Sequence, residues 1–354
     1  MNPTILPPLP QEDLNHVLSS TSGLWDEIRG GRIFVTGGTG FFGTWLIESL
    51  VRANHDLGLD ANVVVLSRHP TRFLARLPHL VAAPGLTFVE GDVREFRPPE
   101  GRFTHVIHAA TEASATLNDE EPLRMLDTIV AGTRRVLDFC AAAGVGKLLL
   151  TSSGAVYGKQ PAEMTHIPET YAGAPDPLDL RSAYGAGKRM AEHLCAQYAR
   201  QHRFEVKIAR CFAFVGPHLP LDAHFAVGNF IRDALHGGPI RVTGDGTPMR
   251  SYLYAADLAA WLWTILFRGE SARAYNVGSR YDLSIARVAT TVAAVLDRRA
   301  EVVIAQPPAQ PPSVLRYVPD VGRAQTELNL HERVGLSDAI RRTFAWYRGA
   351  EAFR

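Results

Sequence analysis

The stretch RIFVTGGTGFFG, residues 32–43, decides the fold of this chain. A short apolar run leads directly into three glycines spaced G-x-x-G-x-x-G, and a segment with helical periodicity follows. In a strand–turn–helix unit of this kind, one glycine makes the tight turn, one lets the backbone approach a pyrophosphate, and one lets helix and strand pack closely. The phosphate then lies at the positive end of the helix dipole. The predicted dinucleotide contacts here are Gly37, Gly40, Phe41, Phe42 and Gly43.

Apolar strands alternate with helical segments beyond this stretch, which predicts a parallel sheet covered on both faces. The predicted fold class is α/β: a Rossmann-type doubly wound parallel sheet with a smaller C-terminal substrate-binding lobe. We expect an N-terminal extension over residues 1–30 and a dinucleotide-binding domain over 31–210 plus about 250–278. The smaller lobe is expected to comprise residues 211–249 and 279–354.

Composition excludes several classes of protein. The 354 residues include 37 basic and 36 acidic side chains, and this balance gives no reason to expect nucleic acid or an anionic membrane as partner. The sequence shows neither a signal peptide nor an apolar stretch of the roughly 20 residues needed to span a bilayer, so we expect a cytoplasmic protein. The three cysteines are scattered in apolar contexts, and we expect neither a disulfide nor a metal site.

The second predicted strand bears on the choice between NAD and NADP. It ends in VVVLSRHP, which places Ser67 and Arg68 where a carboxylate would bind the ribose 2′-hydroxyl of NAD. An arginine in this region accommodates a 2′-phosphate, so the stretch favours NADP(H) over NAD(H). The alternative is that Arg68 only stacks on the adenine or faces solvent.

The segment YGAGK carries the predicted chemistry. Tyr184 and Lys188 stand four residues apart near the start of a predicted helix, which places both side chains on one face. A hydroxyl must lose its proton as hydride leaves its carbon, but a tyrosine with a pKa of about 10 is a weak base near neutral pH. We expect the nearby ammonium to lower that pKa and so make the phenol a usable general base, or a general acid in reverse.

The glycine spacing, together with GDV at Asp92–Val93 and HAA at His108–Ala110, resembles the extended short-chain dehydrogenase/reductase family. The resemblance runs through most of residues 31–330, and the nucleotide-sugar epimerases, dehydratases, decarboxylases and 4-keto reductases look most alike. It implies that Asp92 contacts the adenine ring, that Lys188 also binds the nicotinamide ribose, and that Ser153 completes a Ser-Tyr-Lys triad. The further implied cofactor contacts are Val93, Ala109 and Ala110.

The resemblance also implies a nucleotide-diphosphate sugar as substrate. GDGTPMRSYLYAADLA matches a motif whose arginine, here Arg250, pairs with the diphosphate, and LRYVPD points to Arg316 as a second phosphate ligand. An arginine fork suits a diphosphate because it bonds two oxygens, although each arginine alone also fits an ordinary surface charge. VGNFIRDAL makes Asn229 a candidate nucleobase contact. Glu112 and Ser153 complete the predicted substrate set.

Three departures from the family pattern bear on substrate placement and chemistry. Ile129 replaces the usual Asn of NxxGT, and Ala213 replaces the Asn of RxxNxxGP that contacts the substrate phosphate. In TSSGAVYG, Gly154 and Ala155 stand where 4,6-dehydratases of the group have Asp and Glu, and where the decarboxylases have Glu at the second position. Elimination needs an acid and a base. The resemblance therefore favours hydride transfer at sugar C4, by a 4-epimerase or a 4-keto reductase.

Other functions stay open at this point. Glu112 is a displaced carboxylate that would restore dehydration or decarboxylation. A non-catalytic, cofactor-binding sensor is disfavoured because Ser153, Tyr184 and Lys188 are all present. A reductase of neutral substrates such as flavonoids or sterols is disfavoured because such substrates need no phosphate ligands. We also expect a homodimer, formed through the long helix from Pro122 and the helix that carries Tyr184.

Overall fold

The computed structural model describes residues 4–111, 115–223, 225–296, 300–307 and 315–351. Its strands are β1 (Arg32–Thr36), β2 (Asn62–Ser67), β3 (Leu86–Glu90), β4 (His105–His108), β5 (Lys147–Ser153), β6 (Glu205–Cys211), β7 (Phe214–Val215), β8 (Ile240–Val242), β9 (Met249–Ser251), β10 (Leu253–Tyr254), β11 (Arg273–Val277), β12 (Asp282–Ser284), β13 (Val302–Ile304) and β14 (Arg316–Tyr317). Its helices are α1 (Gln11–Ser20), α2 (Phe41–Leu57), α3 (Pro70–Arg76), α4 (Ala115–Glu120), α5 (Pro122–Ala143), α6 (Ala183–Gln201), α7 (Ala226–Leu235), α8 (Ala255–Arg268), α9 (Ile285–Val295), α10 (Gly322–Leu328) and α11 (Leu336–Glu351).

Seven parallel strands form the central sheet, in the order β11-β6-β5-β4-β1-β2-β3. The chain starts in the middle of this sheet at β1, builds outward to β3, and crosses back to β4 on the other side. β1 and β4 therefore lie side by side at a reversal of strand order, where parallel sheets of this kind open a crevice beyond the carboxyl ends of the strands. The predicted fold class is confirmed.

Both faces of the sheet are covered. One apolar core unites the sheet with α2 and α8 and includes the buried tryptophans Trp45 and Trp263, while the other includes Phe34 of β1 and Phe139 of α5. Burial on two faces is the reason that the strands read as nearly continuous apolar runs. No helix in the described part of the chain combines the length and the apolar character needed to cross a membrane.

Small sheets and helices follow β6 along the chain, and the last strand of the central sheet, β11, comes between them. In the largest of the small sheets, β9 pairs antiparallel with β12 and parallel with β14. α8 and β11 belong with the central sheet, since β11 forms its edge beside β6. The domain boundaries given above stay a prediction.

The N-terminal extension is folded onto the rest of the molecule. The buried carboxylate of Asp13 on α1 accepts hydrogen bonds from the Tyr254 hydroxyl at 2.5 Å and from Arg342 of α11 at 2.8 Å. His16 lies 2.8 Å from the carboxylate of Asp257 on α8. The extension thus ties the sheet-covering helix α8 to the C-terminal helix α11.

Candidate functional site

The predicted site residues lie beyond the carboxyl ends of β1, β4 and β5. Two neighbouring cavities, of about 340 and 510 Å³, open there and share Gly37, Gly40, Ala109 and Thr111. The smaller cavity is also lined by five further predicted cofactor residues and by Arg94. The five are Ser67, Arg68, Asp92, Val93 and Ala110. The larger one contains Phe41, Phe42, Gly43, Ser153, Tyr184 and Lys188.

The glycine loop has the close approaches that the sequence motif requires. Gly37 has φ +71°, and a Cβ on it would lie 2.3 Å from the carbonyl carbon and oxygen of Ala109. A Cβ on Gly43 would lie 2.3 Å from the carbonyl oxygen of Gly37. Gly40 is the residue that precedes the first turn of α2. Because it has no side chain, a pyrophosphate can approach the backbone N–H groups at the start of this helix. The residues present therefore fit a dinucleotide across the two cavities.

The smaller cavity is rich in arginine. Arg68, Arg94 and Arg124 all line it. Among the described residues that line this cavity the one acidic side chain is Asp92, whose carboxylate accepts hydrogen bonds from the Arg94 guanidinium at 2.8 and 3.1 Å and from the Arg94 backbone N–H at 2.9 Å. These hydrogen bonds lower the pKa of Asp92. The predicted adenosine end is thus lined by three arginines, of which Arg94 pairs with Asp92 and Arg124 pairs with Glu121 at 3.0 Å.

The structure brings Ser153, Tyr184 and Lys188 together in the larger cavity. Ser153 ends β5, while Tyr184 and Lys188 occupy one face of α6, as the four-residue spacing predicts. The Lys188 ammonium donates to the Thr111 hydroxyl at 2.9 Å and to the Thr151 carbonyl at 2.8 Å. It lies 5.8 Å from the centre of the Tyr184 ring.

The protonation states correct one expectation. Burial raises the pKa of Tyr184 to about 12, although the hydrogen bond with Ser153 acts in the opposite direction. Burial also lowers the pKa of Lys188 to about 8. The expected lowering of the Tyr184 pKa by Lys188 is not found for the protein by itself, since desolvation raises this pKa and the ammonium is directed at Thr111 and Thr151. Tyr184 is a neutral phenol at physiological pH and therefore a proton donor.

Gly154 follows Ser153 in a tightly filled position. The Ser153 hydroxyl accepts the N–H of Ala155 at 3.1 Å, which caps a short 3₁₀ turn over Gly154–Tyr157. A Cβ on Gly154 would lie 2.7 Å from the Phe212 ring and 2.8 Å from the Tyr317 hydroxyl. Phe212 and Tyr317 therefore occupy the space that a longer side chain at position 154 would need. Glu112, the predicted displaced acid, lies outside the described residues.

The register of the small sheet places Arg316 and Arg250 on opposite faces. Tyr317 stands opposite Arg250 in the parallel β14–β9 pair, and Arg316 stands opposite Met249. Successive side chains in a strand point to opposite faces, so Arg250 shares its face with Tyr317 and not with Arg316. Arg316 instead donates to the Asp282 carboxylate at 3.0 Å. Its role as a second phosphate ligand stays a prediction.

The remaining predicted contacts are dispersed. Arg250 is half-buried and donates to the Met249 carbonyl at 2.8 Å. Asn229 lies on α7, where its amide oxygen accepts from Arg232 at 3.1 Å, and it is not among the described residues that line the larger cavity. Ala213 does line that cavity. Ile129 is buried against α6, where a Cβ on Gly187 would lie 3.1 Å from it.

Two side chains at the site were missed by sequence reasoning. Tyr317 places its hydroxyl 3.4 Å from the Ser153 hydroxyl, and its ring centre lies 4.7 Å from that of Phe212. The signal for Tyr317 was available in LRYVPD, but only the strand register shows which of the two neighbours, Arg316 or Tyr317, faces the site. Phe212 carried no signal because it directly follows a buried strand and reads as one more apolar residue.

Comparison with known proteins agrees with this geometry. The sequence profile of the NAD dependent epimerase/dehydratase family matches residues 33–278. The chain is 32% identical over 317 residues to UDP-glucuronic acid decarboxylase 1 of Arabidopsis thaliana, an alignment that covers 90% of this chain and 70% of the relative. A dTDP-glucose 4,6-dehydratase of Streptomyces venezuelae, solved with NAD bound, superposes with a TM-score of 0.77 at 25% identity, covering 91% of this chain and 98% of that one. UDP-glucose 4-epimerase of Thermotoga maritima shares the fold, with a TM-score of 0.75 at 22% identity and coverage of 90% and 99%.

Proposed function

Because the chain belongs to the NAD dependent epimerase/dehydratase family, we propose that it transfers hydride at C4 of the sugar of a nucleotide-diphosphate sugar. It acts in this proposal as a 4-epimerase or as a 4-keto reductase. One observation carries the proposal: Ser153, Tyr184 and Lys188 line a single cavity with the glycine loop, while Phe212 and Tyr317 fill the space beside Gly154.

Tyr184, Ser153 and Lys188 each have a separate role in the proposed hydride transfer. A bound nicotinamide dinucleotide supplies the acceptor or donor of hydride at C4. In the reductive direction, the neutral Tyr184 phenol donates its proton to the C4 oxygen as hydride reaches the carbon, and Ser153 hydrogen-bonds the same oxygen. Lys188, with a pKa of about 8, is charged at neutral pH and stabilises the phenolate that is left behind. In the oxidative direction the Tyr184 phenolate, stabilised by Lys188, takes the proton from the C4 hydroxyl and becomes the neutral phenol again.

Dehydration or decarboxylation is the second candidate, and the similarity to a UDP-glucuronic acid decarboxylase favours it. Both reactions begin with oxidation at C4. They then need further acid–base groups near the neighbouring carbons. Gly154 and Ala155 supply none, and Gly154 has no room for a longer side chain. A product assay separates the candidates, since only these reactions release water or carbon dioxide.

Two measurements test the proposal. First, the purified protein is denatured and any released nucleotide is identified; tightly held NAD(P)⁺ supports an epimerase, whereas a protein that takes NADPH from solution supports a reductase. Second, the protein is incubated with UDP-glucose, UDP-galactose, UDP-glucuronic acid and dTDP-glucose, each with NAD⁺ or NADP⁺, because each of these sugars carries a C4 hydroxyl whose oxidation needs an oxidised dinucleotide. We expect products altered only at C4. Loss of water or carbon dioxide would contradict hydride transfer as the whole reaction, and failure to bind any dinucleotide would overturn the proposal entirely.

The family is NAD dependent by description, and we propose that this member prefers NADP(H). Arg68→Ala is expected to raise the Kd for NADPH about tenfold more than that for NADH, because one charge-assisted hydrogen bond is worth about 1.5–3 kcal/mol. The control is Arg97→Ala, which removes an exposed arginine that neither cavity includes among its described residues. Fluorescence titration measures both constants. Equal weakening of NADPH and NADH would contradict the preference.

We also propose a homodimer formed through α5 and α6. Leu123 at the start of α5 is 75% exposed and Met190 on α6 is 47% exposed, so the pair presents apolar surface to solvent. Sedimentation velocity tests this proposal, since a monomeric mass at micromolar concentration would contradict it.

A further inference from the structure

We infer that Glu192, on helix α6, is a positioning residue for the proposed hydride transfer: it holds the end of β5 against α6 and places a negative charge one helical turn from the Lys188 ammonium. This inference rests on the proposed function and deepens it, because it assigns the contact that brings Ser153 to the other two groups of the triad. Glu192 is not among the described residues that line the two cofactor cavities. It therefore acts through other side chains and not on the sugar itself.

The end of β5 carries two serines whose side chains point to opposite faces of the sheet. Ser153 is the triad member, and Ser152 precedes it in the strand. The Ser152 hydroxyl donates a hydrogen bond to the Glu192 carboxylate at 2.5 Å. Since α6 also carries the other two groups of the triad, this hydrogen bond joins the strand of Ser153 to the helix opposite it.

A largely buried arginine fixes the direction of the Glu192 carboxylate. Arg210 of β6 stands opposite Ser152 in the parallel β5–β6 pair, so both side chains meet α6 on one face. The Arg210 guanidinium donates to both carboxylate oxygens of Glu192, at 3.0 and 2.6 Å, and to the Tyr157 hydroxyl at 2.9 Å. The Arg210 and Glu192 side chains are only 17% and 11% exposed. A two-point ion pair with so little exposure permits little rotation of the carboxylate, and it holds β5, β6 and α6 in one arrangement.

The same carboxylate lies one helical turn from Lys188. The ammonium itself contacts two uncharged oxygens, the Thr111 hydroxyl and the Thr151 carbonyl. Burial lowers the pKa of Lys188 to about 8, and the charge of Glu192 acts against this lowering. The other titratable groups around the ammonium come from α6, β4 and β6, and burial keeps each of them uncharged near neutral pH. It raises the pKa of Tyr184, Cys195 and Cys211 and lowers that of His108.

The first test measures the titration of Lys188 directly. Protein labelled with ¹³C at lysine Cε gives one NMR signal for each of four lysines, Lys147, Lys159, Lys188 and Lys207, and Lys188→Arg identifies the relevant signal. Glu192→Gln keeps the size of the side chain and removes its charge, so the Lys188 midpoint is expected to fall by about 0.5–1 pH unit. Glu192→Asp keeps the charge and should titrate like wild type. The matched control is Glu327→Gln on α10, which removes another carboxylate paired with an arginine, Arg273, and should leave the midpoint unchanged.

The second test compares the turnover of each variant with that of wild type across pH, because the ratio cancels every group that titrates alike in both proteins. Below both midpoints Lys188 is charged in wild type and in Glu192→Gln, whereas above them the variant retains less of the ammonium. The turnover ratio is therefore expected to fall about three- to tenfold between about pH 6 and about pH 9. Ser152→Ala keeps the charge but removes the contact between β5 and α6. We expect about tenfold lower turnover there, by the same factor at every pH, with the Kd for NADPH unchanged.

The outcomes distinguish failure of this inference from failure of the proposed function. An unchanged Lys188 midpoint in Glu192→Gln, an equal fall in Glu327→Gln, a turnover ratio that does not vary with pH, or full turnover of Ser152→Ala overturns the inference alone. If circular dichroism shows that Glu192→Gln does not fold, Glu192→Asp and Ser152→Ala decide, since both should lose turnover while Lys188 keeps its wild-type midpoint. If the midpoint moves as expected but wild-type protein converts no nucleotide sugar, the proposed function fails and the positioning role fails with it.

Discussion

Tyr184→Phe is expected to lower turnover by about 10²–10⁴-fold, the usual contribution of a general acid or base. The phenol is neutral in the folded protein because burial raises its pKa to about 12, so the wild-type group carries the proton that the C4 oxygen must receive. Phenylalanine keeps the ring in the larger cavity but has no proton to give. The fold and the dinucleotide affinity should be nearly unchanged.

The measurement is steady-state turnover of the sugar nucleotide that wild-type protein converts, with fluorescence titration of NADPH alongside it. A suitable control is Tyr171→Phe, which retains a ring that lies 6.3 Å from that of Tyr157 and outside the larger cavity as its described residues define it. Turnover of Tyr184→Phe within about tenfold of wild type would be too small for a general acid and would remove the catalytic assignment.

Gly37→Ala is expected to damage both the fold and dinucleotide binding. Residue 37 has φ +71°, and a Cβ there would lie 2.3 Å from the backbone of Ala109. A strained backbone costs about 1–3 kcal/mol, and overpacking costs a similar amount. Because natural proteins are stable by only about 5–15 kcal/mol, the combined cost is a large share of the total. Relief of the clash requires the ends of β1 and β4 to separate, and Gly37 and Ala109, which directly follow these ends, line both cavities.

Thermal unfolding and NADPH titration measure the two effects, and we expect a clearly lower Tm together with loss of measurable binding. Gly244→Ala is the matched control, since no described atom lies within 4 Å of a Cβ built on it and its φ is not positive. That variant should melt and bind like wild type. A Gly37→Ala protein with wild-type Tm and affinity would show that the close approach of Gly37 to Ala109 is not required.

Much of the site was predictable because its parts are local in the chain. Gly37, Gly40 and Gly43 are required by one turn and the helix that follows it. Tyr184 and Lys188 share a face because they stand one helical turn apart. These relations depend on neighbours in sequence, and all five residues line the larger of the two cavities.

The segment that contains Arg316 and Tyr317 could not be placed from local sequence alone. A motif match located the segment, but a shift of one residue in a strand moves a side chain to the opposite face. Tyr317, and not Arg316, reaches Ser153, from 164 positions further along the chain. The pKa of Tyr184 likewise depends on tertiary structure, because desolvation is set by everything that surrounds the phenol and not only by the lysine one turn away.

The amino-acid sequence by itself determined the parallel sheet, the glycine loop and the helical pairing of Tyr184 with Lys188, since periodicity and backbone conformation are set by residues close together in the chain. Only the tertiary structure decided what stands beside Gly154. Phe212 and Tyr317 arrive there on separate strand ends and close the space from outside the local sequence. Packing between distant segments therefore explains the glycine at position 154. Phe212 and Tyr317 fill the space beside it, and the Tyr317 hydroxyl lies next to that of Ser153.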